Sequence, residues 1–221
     1  MKEELILIGA GGLAREVMEI TRLLNGISVV GILDDNEALV GRSISGAPVL
    51  GKICDLVEFP KSLVLICVAN SKNPRRRLEI ADQINIDPNR YFSAIHPTVS
   101  LGSSVRIGHG AIIMSFCSVT ADVVIGQHCV VMPNVVMTHD DMIGNGCTFG
   151  AGSTIAGNVK LGDSVYVGSG SHVREFLQVG SGAVLGMGSV VTKDVPPDEV
   201  WIGNPAQRLS INRVFPDREF L

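Results

Sequence analysis

Charge is scarce in this sequence, and what excess there is carries the negative sign. Asp, Glu, Lys and Arg make up 18% of the 221 residues, and the formal net charge is −4. Without a basic surplus the chain has no general electrostatic hold on nucleic acid or an anionic membrane, so neither is expected as a partner. Long apolar runs are missing as well. No stretch approaches the ~20 residues needed to cross a bilayer, and Met1-Lys2-Glu3-Glu4 lacks the charge pattern of a signal peptide. The five cysteines are not spaced as zinc ligands, which points to a reducing compartment and to no metal site. With 46% hydrophobic residues the chain is globular, and it is long enough for one large or two modest cores. The expectation is a cytoplasmic protein.

What the sequence does have is a repeat. Stepping by six from Ile95 gives Leu101, Ile107, Ile113 and so on to Leu185 and Val191, with every one of the 17 positions apolar. Nine of them are followed by Gly, and four residues after each comes a small or aliphatic residue such as Val99, Cys117, Ser153 or Ala183. A period of six suits neither a helix at 3.6 nor a single strand at 2. It suits a three-sided β-solenoid in which a hexad forms one face and eighteen residues close a coil. Columns eighteen apart bear this out: Ile107, Ile125, Ile143, Leu161 and Val179 stack on one edge, each followed by Gly, where a backbone corner leaves no room for Cβ. Cys129 and Cys147 fall in a column of small residues and read as inward-facing filler. Coils spaced as ordinary strands make a prism roughly 27 Å tall.

Residues 1–93 follow a different pattern. Leu5-Ile6-Leu7-Ile8 reads as a buried strand, Gly9-Ala10-Gly11-Gly12-Leu13-Ala14 as a loop, and Leu13 to Leu24 as an amphipathic helix. Ser28 to Leu33, ending in Asp34-Asp35, and Ser62 to Val68, ending in Ala69-Asn70, read as further strands, and Pro74 to Ile84 as a second helix. This is a Rossmann-like βαβ arrangement with a parallel sheet, so a ligand should bind at the carboxyl ends of the strands. The glycine loop sits where a phosphate or ribose can approach a helix N-terminus. Ninety residues supply only one mononucleotide half, which argues against NAD. Arg75-Arg76-Arg77 reads either as the solvated start of a helix or as a phosphate contact. The expected division is therefore 1–93, a βαβ domain; 94–195, a β-helix; and 196–221, a C-terminal tail.

Acyl transfer from a thioester needs a base for the incoming nucleophile and donors for the developing oxyanion. Histidine suits the base, and five are present. His96, His109, His128 and His172 read as surface or packing residues. His139 differs, because its hexad alone carries a charge, Asp141, at the position that is otherwise small or aliphatic. Ala121 lies one coil below it and Gly157 one coil above, leaving space beside the imidazole for a substrate. Asp140 would orient the ring, as a carboxylate does in other histidine-based sites. Adjacent side chains in a strand point apart, so this pairing requires a corner.

These residues resemble one group in combination. Ile8-Gly9-Ala10-Gly11-Gly12-Leu13-Ala14-Arg15-Glu16, Leu33-Asp34-Asp35, Thr138-His139-Asp140, Ala156-Gly157-Asn158-Val159-Lys160-Leu161-Gly162 and Ile202-Gly203-Asn204-Pro205-Ala206 are similar to motifs of hexapeptide-repeat sugar acetyltransferases. That group holds the sialic-acid O-acetyltransferases and the nucleotide-sugar N-acetyltransferases of the bacillosamine and perosamine pathways. The resemblance spans residues ~4–209 and implies a left-handed parallel β-helix, a homotrimer with active sites between neighbouring subunits, and direct transfer from acetyl-CoA. It implies His139 as base with Asp140 as its partner, the backbone of Gly157 facing the thioester oxygen, and Thr148, Ser169 and Met187 near acetyl-CoA. Gly11, Gly12, Leu13, Asp34, Asp35 and Ala69 would hold the nucleotide sugar. Leu13 and Ala69 depart from the common residues, His and Gly. Arg208 or Lys193 is available for the CoA phosphates. The expected reaction is N-acetylation of a nucleotide-linked amino sugar. O-acetylation of sialic acid or another sugar is the alternative, and a non-catalytic solenoid scaffold a more distant one.

Overall fold

The computed structural model describes residues 2–211. The remainder of the expected tail, 212–221, lies outside the described residues. The N-terminal domain opens with β1 (Glu3–Ile8), α1 (Gly12–Leu23) and β2 (Ile27–Leu33). Leu5 to Ile8 are all 0% exposed, as a parallel strand covered on both faces should be. After β3 (Ser43–Ile44), β4 (Ala47–Gly51) and β5 (Leu63–Ile66), α2 (Arg76–Ile84) completes the domain. The sheet order is β3-β4-β2-β1-β5, parallel except for the short β3–β4 hairpin. That hairpin is the main departure from the expected βαβ outline.

From Ala94 onward each hexad contributes a two-residue strand, paired in parallel with the strand eighteen residues later. The strands stack into three sheets and make a left-handed three-sided prism. The first face runs from Ala94–Ile95 through Thr148–Phe149 to Val184–Leu185. The second runs from Ser100–Leu101 to Val190–Val191, and the third from Arg106–Ile107 to Gln178–Val179. Cys129, Cys147 and Phe149 are 0% exposed inside it. The stack does not stop at residue 195. Glu199–Ile202 joins the first face in parallel beside Val184–Leu185, and Gln207–Ile211 returns antiparallel to it. Trp201 packs against the solenoid core at this end.

The corner glycines leave no room for a Cβ, as the repeat implied. Gly126 and Gly144 are not in the left-handed region; a Cβ on Gly126 would lie 2.7 Å from the Gly144 carbonyl carbon in the next coil. Close approach of coils excludes the side chain. The left-handed turn residues come two positions later, at His128, Gly146 and Ser164.

The N-terminal domain packs on the first face. Leu13, Val17 and Leu65 share one apolar cluster with Ala94, Ile112, Met114 and Val130 of the solenoid. Within the arginine run, Arg77 is neither solvated nor free for a phosphate. It is 2% exposed and donates to the carbonyls of Val68, His128, Gly146 and Cys147 and to Thr148 Oγ1. Arg75 pairs with Asp198 and Arg76 with Glu79. Among the described residues no helix is long and apolar enough to cross a membrane.

Candidate active site

The corner formed by residues 138–141 joins the second face at Val136–Met137 to the third at Met142–Ile143. Asp140 is the left-handed residue of this corner, with φ +62°. That reversal lets two neighbouring side chains meet, which an extended strand forbids. His139 Nδ1 lies 2.8 Å from Asp140 Oδ2, with both side chains more than half exposed. An ionised carboxylate only accepts, so Nδ1–H donates and the lone pair is left on Nε2.

Backbone bonds hold the corner between its neighbours: Asp140 N–H donates to Ala121 O at 3.0 Å, and Asn158 N–H to His139 O at 2.9 Å. Gly157 sits directly against the ring. A Cβ there would lie 2.6 Å from both Cε1 and Nε2 of His139. The glycine thus makes room for the imidazole itself, where the sequence suggested room for a substrate. Asp141 turns inward and is 0% exposed. Its Oδ1 accepts from Val159 N–H at 2.9 Å, while Oδ2 has no partner. Burial pushes its pKa up to about 7, opposed by the Val159 N–H bond and by His139.

The residues expected at acetyl-CoA do not all share one place. Ser169 and Met187 occupy adjacent coils at the corner between the first and second faces, where Gly188 N–H donates to Ser169 O at 2.9 Å. Met187 is 80% exposed. This is a different edge of the prism from His139 and Gly157. Thr148 is a correction: it is 4% exposed under the N-terminal domain, and its hydroxyl accepts from Arg77 Nη2 at 2.9 Å. Its side chain belongs to the domain junction and lines no open cleft. Arg208 lies on the closing hairpin, where its Nε pairs with Glu199 Oε1 at 3.0 Å while half the side chain stays exposed.

The residues expected at the nucleotide sugar do come together, at the carboxyl ends of β1, β2 and β5. Gly9 adopts φ +98° and passes so close to β5 that a Cβ would lie 2.9 Å from Val68 Cγ2. Gly11 and Gly12 are exposed at the start of α1, and Ala69 is exposed beyond β5. Asp34 braces the loop, its Oδ2 accepting from Ala10 N–H at 2.7 Å. Asp35 Oδ1 accepts from Ile53 N–H at 3.1 Å. Leu13 is the exception and a correction. It is 8% exposed, and its side chain packs in the core with Val17 and Met18.

His128 has a packing role. It is 3% exposed and stands edge-on to Tyr91 with ring centroids 4.4 Å apart. Burial and Arg77 hold its pKa down at about 4. Among the described residues no group of three or more His, Cys, Asp or Glu could hold a metal ion.

Comparison with known proteins finds the same two-part organisation. Residues 4–84 match the PglD N-terminal domain, and residues 104–139 and 122–157 match the bacterial transferase hexapeptide family of six repeats. The acetyltransferase domain of PglB from Neisseria gonorrhoeae FA1090, solved with acetyl coenzyme A, is 28% identical with a TM-score of 0.85; the match covers 95% of this chain and 100% of that one. PerB from Caulobacter crescentus, solved with CoA and GDP-perosamine, is 28% identical with a TM-score of 0.83, covering 94% and 97%. WeeI from Acinetobacter baumannii AYE is 27% identical with a TM-score of 0.79, covering 94% and 100%. Two further structures of the Caulobacter perosamine N-acetyltransferase carry a histidine replaced by Asn or Ala. No curated protein matches the chain in a sequence comparison. The chain thus matches a PglD N-terminal domain followed by transferase hexapeptide repeats, the two-part order that the motif resemblance implied.

Proposed function

We propose that this chain N-acetylates an amino sugar carried on a nucleoside diphosphate, taking the acetyl group directly from acetyl-CoA with His139 as general base. The broader part of this reading is an acetyl-CoA-dependent sugar acetyltransferase. It rests on solved relatives that span nearly the whole chain and carry acetyl coenzyme A or CoA with GDP-perosamine. The finer part rests on one observation, the hydrogen bond from His139 Nδ1–H to Asp140 beside Gly157.

In the proposed reaction the sugar amine attacks the thioester carbonyl while Nε2 of His139 takes the amine proton. The carbonyl becomes an oxyanion held by the Gly157 backbone N–H, and Asp140 stabilises the imidazolium. Collapse of the tetrahedral intermediate breaks the C–S bond, and the proton on Nε2 passes to the departing sulfur. No acyl-enzyme forms.

A homotrimer would bring the separated edges together. Ser169 and Met187 of one copy would then face His139 and Gly157 of the next, with Arg208, half exposed beside Glu199, turned to the CoA phosphates. The prism carries apolar groups that a neighbour would cover, among them Met142, Phe176 and Met187, exposed by 54%, 72% and 80%. The exposed glycines and the braced Asp34–Asp35 pair would hold the nucleotide, through backbone at Gly11, Gly12 and Ala69. Thiol release from acetyl-CoA with a panel of UDP-, GDP- and dTDP-linked amino sugars tests the reading. Turnover of one 4-amino sugar is expected; turnover of free sialic acid alone would replace N- with O-acetylation.

A further inference from the structure

Asp141 is a carboxyl group where the fold has no general use for one. Its column inside the solenoid is otherwise aliphatic, with Val123 one coil below and Val159, Leu177 and Val195 above, all buried. Elsewhere in the prism, backbone amides that donate to a side chain of the neighbouring coil lie at exposed or half-exposed corners, as in Asp122 N–H to Ser104 and Gln127 N–H to Asn145. The bond from Val159 N–H to Asp141 Oδ1 is the one of this kind that is buried among the described residues. It also replaces a local turn bond. In the first coil the equivalent amide, Val105 N–H, closes its own turn on Gly102 O at 3.1 Å. Val159 N–H instead reaches down to the coil that carries His139.

The two ends of this bond matter because of their neighbours in the chain. Asp141 follows His139-Asp140, and Val159 follows Gly157-Asn158. We propose that Asp141 is a positioning residue for the acetyl transfer: its buried carboxyl ties the Gly157 turn to the His139 turn and so sets the gap between the imidazole and the Gly157 backbone. Val159 N–H takes its acceptor from the coil below, and an aliphatic residue at 141 cannot supply one. A gap fixed to within a fraction of an ångström is what a base and an oxyanion donor on successive coils require, since a displacement of ~1 Å can cost ~10²-fold in rate. The inference rests on the reading of His139 as base.

Two variants separate the possibilities. Asp141→Val fills the column with its own prevalent residue and removes the acceptor; Asp141→Asn keeps the acceptor without the charge. Each is checked first for trimer size and folding, then measured for kcat, both KM values and deuterium uptake in a peptide spanning residues 156–160. Asp141→Val is expected to speed amide exchange in that peptide and lower kcat by ~10-fold or more, with both KM values within about twofold. Asp141→Asn is expected to restore slow exchange and most of kcat. The proposal is overturned if Asp141→Val exchanges faster yet keeps wild-type kcat, or if its exchange is unchanged. It is overturned too if Asp141→Asn loses kcat while exchange stays slow, or if KM values carry the whole effect. His139→Ala runs in parallel: an active His139→Ala enzyme would sink the base assignment, and the exchange data would still report on the Asp141 bond.

Discussion

The imidazole of His139 occupies the space that a side chain on Gly157 would fill, with Cε1 and Nε2 both 2.6 Å from the position of its missing Cβ. Glycine at 157 is therefore a requirement of the neighbouring coil. Its φ is not positive, so the backbone itself accepts alanine. Gly157→Ala should leave the solenoid folded and push the ring aside. The expected loss is ~10²-fold in kcat, with little change in melting temperature. Parallel kinetics and thermal unfolding check this; a large drop in stability with full kcat would contradict it.

Arg77 joins the two domains through a single buried guanidinium. Arg77→Ala leaves several carbonyls without their donor and should cost on the order of 3–5 kcal/mol, as loss of a buried charged partner typically does. Arg77→Lys should recover only part of this, since an ammonium lacks the planar fork. Denaturant unfolding at fixed protein concentration measures both. The shared apolar cluster makes a further point: a chain lacking residues 1–93 would expose Ile112 and Val130, so the solenoid should be aggregation-prone when made alone.

Asp141 predicts a pH-dependent stability with a definite sign. Its native pKa, about 7, lies above the ordinary aspartate value of 3.8, so between those limits the folded state binds more protons than the unfolded state. Stability is then lost as pH rises across that window, and the charged groups acting on the carboxyl are His139 and Asp140. The Asp141→Val protein should gain on the wild type as pH rises from about 4 to about 8, by on the order of a few kcal/mol. Melting temperatures taken across that range, at one protein concentration, test the trend. A constant difference would contradict it.

His128 acts in the opposite direction. Its native pKa of about 4 lies below the ordinary histidine value of 6.5, so the unfolded state binds more protons between those limits. The contribution is complete above the upper limit and is lost as pH falls toward the lower one. Arg77, His109 and Asp82 are the charged or titratable groups that act on it. His128→Phe should flatten the acid limb of the stability curve while leaving the limb above pH 7 unchanged.

The solenoid was legible in the sequence because a six-residue period has few structural solutions and was unbroken from Ile95 to Val191. The His139–Asp140 pair was legible because Asp141 breaks the aliphatic column beside it. Arg77 was hidden by its two neighbours, since three consecutive arginines read as a solvated face. The available signal was helical spacing: Arg77 stands three residues before buried Ile80 and shares its face. Thr148 and Leu13 were misplaced for a related reason. The family resemblance assigned each to a ligand, but which way a side chain points depends on how the domains pack. The closing strand Glu199–Ile202 was missed because it lies beyond the six-residue register, whose last apolar position is Val191.

The most direct test of the account is kcat for His139→Ala in an enzyme that is folded and of the same oligomeric size as the wild type. General base catalysis contributes ~10²–10⁴-fold, and a loss of that size is expected in kcat, with acetyl-CoA affinity little changed. His139→Asn should be nearly as slow, and Asp140→Asn less affected, because it weakens the support of the ring without removing it. A His139→Ala enzyme within threefold of the wild-type kcat would contradict the assignment of His139 as the base.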